Sequence, residues 1–114
     1  MVEANLLVQS EDRGDWTVVE VRGEVDLYTA PRLKERLLEL IEGGRRRLAV
    51  DLDGVEFLDS TGLGVLIGAL KRCREAEGSL ALVAPRDPVM KVLGITGLDR
   101  VFPIHDTVDR ATEG

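Results

Sequence analysis

The chain has one cysteine, Cys73, and one histidine, His105, in 114 residues. A single cysteine excludes an internal disulfide and suits a reducing compartment. It falls in a helical pattern, where a small apolar packing role is the simple reading. Aromatics are scarce: Trp16, Tyr28, Phe57 and Phe102 make up 4% of the chain. Positive charge is also short, with 15 Lys and Arg against 21 Asp and Glu and a net charge of −6. That argues against nucleic acid or an anionic membrane as a partner and leaves room for a basic protein surface. No run approaches the ~18 apolar residues of a membrane helix, and no basic segment followed by an apolar one opens the chain. A cytoplasmic protein is expected.

What is present is a core. The apolar fraction is 44%, mostly Leu, Val, Ile and Ala. The length suits one domain over residues 1–114. Asn5 to Ser10 predicts a short strand, the polar segment Glu11 to Asp15 a turn, and Trp16 to Arg22 a second strand in which Val19 and Val21 share a face. The two form a hairpin, ended at Gly23. After a connector, Thr29 or Tyr28 opens a helix with Pro31 in its first turn; Ala30, Leu33, Leu37, Leu40 and Ile41 make its stripe, and Gly43-Gly44 closes it.

Leu48 to Leu52 is a buried strand with Asp51 as its odd member, followed by an expected turn at Asp53-Gly54 and a return over Val55 to Leu58. The closing Glu that a calcium loop needs is absent there. Leu63, Leu66, Ile67 and Leu70 then fall at helical offsets, with polar residues only from Lys71 on, so the first half of this helix is expected to be buried on most sides and to end at Gly78. Ser79 to Ala84 reads as a strand. A helix follows with Asp87 as cap and Pro88 first, closed by Gly94 and Gly97, then a strand over Val101 to Ile104 and a last short helix capped within His105 to Thr107, with only Val108 and Ala111 as anchors. The order ββαβαβαβα predicts an α/β fold: a mixed, mostly parallel sheet of about five strands with helices mainly on one side.

The junction Asp59-Ser60-Thr61-Gly62 carries the chemistry. An Asp or Ser before a helix satisfies its free N–H groups, and that alone accounts for the residues. The alternative is functional, because a hydroxyl at a helix N-terminus is well placed to carry a phosphate, with Asp59 and Asp26 as acids nearby. A nucleophile elbow is half missing, since Leu58 stands where the first glycine belongs. Gly62, Gly64 and Gly68 fail the phosphate-loop and dinucleotide patterns. Gly64 and Gly68, four apart on one helix face, suggest close approach of the backbone to the sheet or to a partner. Arg45 to Arg47 reads as a solvated basic turn.

Gly23-Glu24-Val25-Asp26-Leu27-Tyr28-Thr29-Ala30-Pro31, followed about thirty residues on by Phe57-Leu58-Asp59-Ser60-Thr61-Gly62-Leu63-Gly64-Val65-Leu66, resembles the STAS domain of sulfate transporters and anti-sigma factor antagonists. The chain resembles the stand-alone bacterial antagonists. That resemblance implies a non-enzymatic switch without cofactor, metal or catalytic residue. The unmodified form would bind an anti-sigma factor serine kinase and free a sigma factor. The kinase would use ATP to phosphorylate Ser60 and abolish binding, and a serine phosphatase would reset it. It implies a docking surface of Asp26, Asp59, Ser60, Thr61, Gly62, Leu63 and Gly64, with Asp26 helping to orient the Ser60 hydroxyl. The alternatives are a STAS module in another signalling complex, a small-ligand sensor, or a small hydrolase built on Ser60. Thr61 is a second hydroxyl beside the first.

Overall fold

The computed structural model describes residues 6–113. Asn5, expected to begin the first strand, lies outside them. The elements are β1 (Leu6–Arg13), β2 (Trp16–Val25), α1 (Ala30–Glu42), β3 (Arg47–Leu58), α2 (Ser60–Glu75), β4 (Ser79–Val83), α3 (Asp87–Thr96), a 3-10 turn (Leu98–Arg100), β5 (Ile104–His105) and α4 (Val108–Ala111). The strands form one sheet in the order β1-β2-β3-β4-β5. The first pair is antiparallel and the remaining three are parallel.

Alternation along the strands decides what each face carries. Val19, Val21 and Val25 of β2, and Leu48, Val50, Leu52, Val55 and Leu58 of β3, point to the main core. There they meet Leu33 and Leu37 of α1, Leu63, Leu66 and Leu70 of α2, and Val89 and Leu93 of α3. The opposite face is covered only in part. Ala49, Ala81 and Val83 receive Ala111 of α4, with Trp16, Val18 and Val108 around them. Helices therefore lie mainly on one side, as expected, and the short α4 docks on the other through the two anchors the sequence offered. The Thr107 hydroxyl accepts from the Arg110 amide at 3.1 Å to start α4. An ion pair between Arg13 and Asp109 ties it to the hairpin.

Tertiary pairing overrides several local signals. Polar Glu11 to Arg13 continues β1, because each residue has a partner on β2, and the turn is only Gly14-Asp15. Gly14 has φ +63, as the first position of a two-residue hairpin loop demands. Gly23 does not end β2. It sits at φ +115 inside the strand, where the register shifts. Asp53-Gly54 is no turn either, since β3 runs unbroken through it with a bulge between Asp51 and Gly54. Gly54 is glycine because a Cβ there would stand 2.7 Å from Arg22 Cγ.

Further along, α2 ends at Glu75, and Glu77, not Gly78, takes the positive φ of 63. Gly78 serves close approach instead, as its Cβ would lie 1.9 Å from the Arg46 carbonyl oxygen. Asp87 is the first residue of α3, not its cap; Arg86 occupies the cap position and Gly94 lies within the helix. The last strand shrinks to Ile104–His105, because the Val101 and Phe102 amides donate to the Leu98 carbonyl and close the 3-10 turn, while the Phe102 side chain enters the core.

Candidate functional site

β2 and β3 lie side by side and end together, with Val25 paired to Leu58. β3 passes into α2 through Asp59 alone and β2 into α1 through Asp26 to Thr29, which brings Asp26 and Asp59 to the same end of the sheet. The Asp59 amide donates to the Val25 carbonyl at 3.1 Å, so the turn into α2 is fastened to the end of β2. Asp59 is the N-cap of α2. Its Oδ1 accepts from the amides of Thr61 at 2.9 Å and Gly62 at 3.1 Å. Two of the free N–H groups of the helix are thereby satisfied by the residue before Ser60.

Ser60 is the first residue of α2 and is exposed, whereas Thr61 is half-buried. Among the described residues the Ser60 hydroxyl enters no hydrogen bond. The cap and the candidate site are thus two different residues, and capping by Asp59 leaves the Ser60 hydroxyl uncommitted.

Asp26 does not orient that hydroxyl. Its Oδ1 accepts from the amides of Tyr28 at 2.9 Å and Thr29 at 3.0 Å. Its amide donates to the Thr29 hydroxyl at 2.9 Å, which in turn donates to the Glu24 carbonyl at 2.8 Å. These bonds build an Asx turn that launches α1. The Thr29 amide is the main reason the Asp26 carboxyl is held below the usual carboxylate value. Asp26 remains at the site edge as a fixed negative charge.

Gly62 and Leu63, expected to dock a partner, belong to the interior. Leu63 is 6% exposed, and a Cβ on Gly62 would stand 2.5 Å from Leu58 Cδ1 and 2.6 Å from Val25 Cγ1. Gly62 lets α2 descend onto the ends of β2 and β3. The crowding expected at Gly64 and Gly68 is absent: nothing lies within 4 Å of a Cβ at either. Both are exposed, as is Ile67 at 40%, so α2 buries one face and not most sides. A helical glycine costs about 1 kcal/mol against alanine, and nothing within this fold requires these two.

The structure adds neighbours that sequence reasoning missed. Leu27 is 63% exposed, Tyr28 87% and Phe57 49%. The first two are thrown outward by the Asx turn of Asp26. Phe57 is turned out by a second bulge, where Gly23 pairs with Val55 and Glu24 with Phe57 so that Glu56 is extra. A Leu-Tyr pair between an Asx-turn acid and a Pro-started helix was the available signal, because neither strand nor helix periodicity can bury it. The edge thus presents apolar groups beside Glu24, Asp26, Glu56 and Asp59.

A serine–histidine hydrolase is not assembled. His105 is level with Val83 and, through it, with Asp51, and Leu58 lies seven residues further along β3. At ~3.3 Å per strand residue that is on the order of 20 Å from the Ser60 junction. Among the described residues no group of His, Cys, Asp and Glu is placed to hold a metal ion, and no helix is long and apolar enough to cross a membrane.

The STAS domain family profile matches residues 8–111. The anti-sigma-B factor antagonist of Staphylococcus aureus is 32% identical over 102 residues, which are 90% of this chain and 94% of that one. A crystal structure of an anti-sigma factor antagonist from Mycobacterium paratuberculosis is 34% identical with a TM-score of 0.84, covering 93% of this chain and 90% of that one. The fold is also that of the Bacillus cell fate determinant SpoIIAA in its phosphorylated form, at 21% identity and a TM-score of 0.73 over 92% of this chain and 96% of that one.

Proposed function

The chain belongs to the STAS domain family, and from that premise we propose that it is an anti-sigma factor antagonist switched by phosphorylation of Ser60. Residues 1–114 act as one domain. The unmodified protein binds an anti-sigma factor that is also a serine kinase, and a sigma factor is released. The kinase transfers the γ-phosphoryl group of ATP to Ser60 Oγ, the hydroxyl proton leaves, and ADP departs. The phosphorylated form no longer binds, and a serine phosphatase restores the hydroxyl by hydrolysis. The chain itself is substrate and ligand, not catalyst.

The observation that carries this reading is the division of labour between Asp59 and Ser60. The cap stays with Asp59, so a phosphate on the exposed first residue of α2 leaves the hydrogen bonds of the junction in place. Such a group carries about −1.5 to −2 charge and is favoured by the helix N-terminus. Asp26, Asp59 and Glu24 oppose it. The modification therefore changes the surface more than the fold. Reversing a binding equilibrium from 99:1 to 1:99 takes ~5.5 kcal/mol, which a desolvated phosphate inside an interface can supply. The docking surface comprises Ser60 with Asp26, Asp59, Thr61 and Gly64, framed by Leu27, Tyr28 and Phe57. The names of the Staphylococcus and Mycobacterium relatives support the partner class.

Incubation with the cognate kinase and ATP, followed by mass-spectrometric mapping, tests this. One phosphate on Ser60 is expected. Phosphate on Thr61 alone, or on neither, overturns the mechanism.

A further inference from the structure

Between α1 and α2 runs a groove of about 420 Å³. Leu38 and Val65 form its apolar walls, and Gly64 and Gly68 leave one side open down to the backbone. Its rim carries Lys34, Lys71 and Arg72 against one acid, Glu75. None of these three cations makes an ion pair among the described residues. A basic, apolar groove on a chain of net charge −6 is a local reversal of sign.

We propose that this groove receives an acidic amphipathic helix of the anti-sigma factor, so that the docking surface continues from Ser60 along the outer face of α2. The inference rests on the function proposed above. Charge decides the chemistry of the occupant: an apolar stripe flanked by Asp and Glu matches walls of Leu38 and Val65 under Lys34, Lys71 and Arg72. Shape decides its form. Gly64 and Gly68 leave free space along one side of α2, so the floor of the groove follows the helix axis. A helix fits, because it buries one face and keeps the other wet.

Ser60, Gly64, Gly68 and Arg72 stand four residues apart on one row of α2. A row whose middle members lack side chains is a slot for the ridge of a neighbouring helix. The same placement explains how the switch reaches the groove. Ser60 heads the row, so a phosphate there stands at the mouth of the slot and repels an acidic helix lying in it.

Calorimetric titration of the full chain with its cognate anti-sigma factor tests the proposal, using Gly68→Leu and the double variant Lys71→Glu/Arg72→Glu. Gly68→Leu fills the slot two turns from Ser60, and a side chain there meets open space, so its melting temperature should not fall below that of the wild type. Binding at least about tenfold weaker is expected for each variant, with the wild-type affinity falling as salt rises and that of the double variant falling less. Gly68→Leu within twofold of wild type overturns this proposal alone. A groove that takes up a fluorescent fatty acid while Gly68→Leu leaves anti-sigma binding intact overturns it in favour of a lipid. Wild-type protein that does not bind the anti-sigma factor overturns both this proposal and the function on which it rests.

Discussion

The Asp59 carboxylate and the Gly62 amide close the first turn of α2 at 3.1 Å, and Ser60, between them in sequence, keeps its hydroxyl outside that bond. Asp59 also holds the Thr61 amide. Asp59→Ala should therefore destabilise the protein by about 0.5–2 kcal/mol in urea denaturation, with Asp59→Asn recovering most of the loss. A change within a few tenths for Asp59→Ala would show that the cap contributes little.

Ser60 is free of that framework, so its substitution should separate binding from folding. Ser60→Ala should bind the anti-sigma factor constitutively, escape phosphorylation, and unfold within about 0.5 kcal/mol of wild type. Ser60→Asp should fold equally well and bind at least about tenfold more weakly. Full affinity in Ser60→Asp would show that charge at this position is not what breaks the complex.

Two glycines of one helix should respond in opposite directions. Gly62→Ala drives a methyl against Leu58 and Val25 and should cost about 1–3 kcal/mol. Gly64→Ala meets open space and should stabilise by about 0.5–1 kcal/mol. Thermal or urea unfolding of the two variants in parallel decides it, and equal effects would contradict the packing described at Gly62.

Asp12 and Arg45 form a two-bonded pair, Nε to Oδ1 at 2.9 Å and Nη2 to Oδ2 at 2.8 Å. The Arg45 guanidinium, helped by the Thr17 hydroxyl, holds the Asp12 carboxyl down from 3.8 to about 2. Between those values the unfolded chain binds the proton and the folded chain does not, so stability rises with pH across that window. The contribution is complete above pH ~4 and is lost as pH falls through about 2. The melting-temperature advantage of wild type over Asp12→Asn should be constant from neutral pH to about 4 and shrink below it. An advantage unchanged at pH 2 would show that the pair owes nothing to ionisation.

Much of this was legible in the chain. Helical periodicity placed the α1 stripe from Ala30 and, apart from the exposed Ile67, the buried stripe of α2, because those positions depend on neighbours three and four residues away. The order of elements implied a mostly parallel sheet. Asp59-Ser60 marked the junction. The errors concentrate where distant segments meet. Glu11 to Arg13 look like a loop until β2 supplies partners. Asp53-Gly54 look like a turn until Arg22 comes close enough to require a glycine inside a strand.

The site divides along the same line. Sequence by itself determined which residues stand at the start of α2 and that a hydroxyl, an acid and three glycines lie within a few turns, since one helix sets those relations. Only the tertiary structure decided what each one does. It gave Asp26 to the start of α1, put Gly62 and Leu63 into the core, opened Gly64 and Gly68 to solvent, and turned Leu27, Tyr28 and Phe57 outward. Those assignments follow from which backbones approach one another across the ends of β2 and β3, and contacts between segments some thirty residues apart leave no periodicity in the chain.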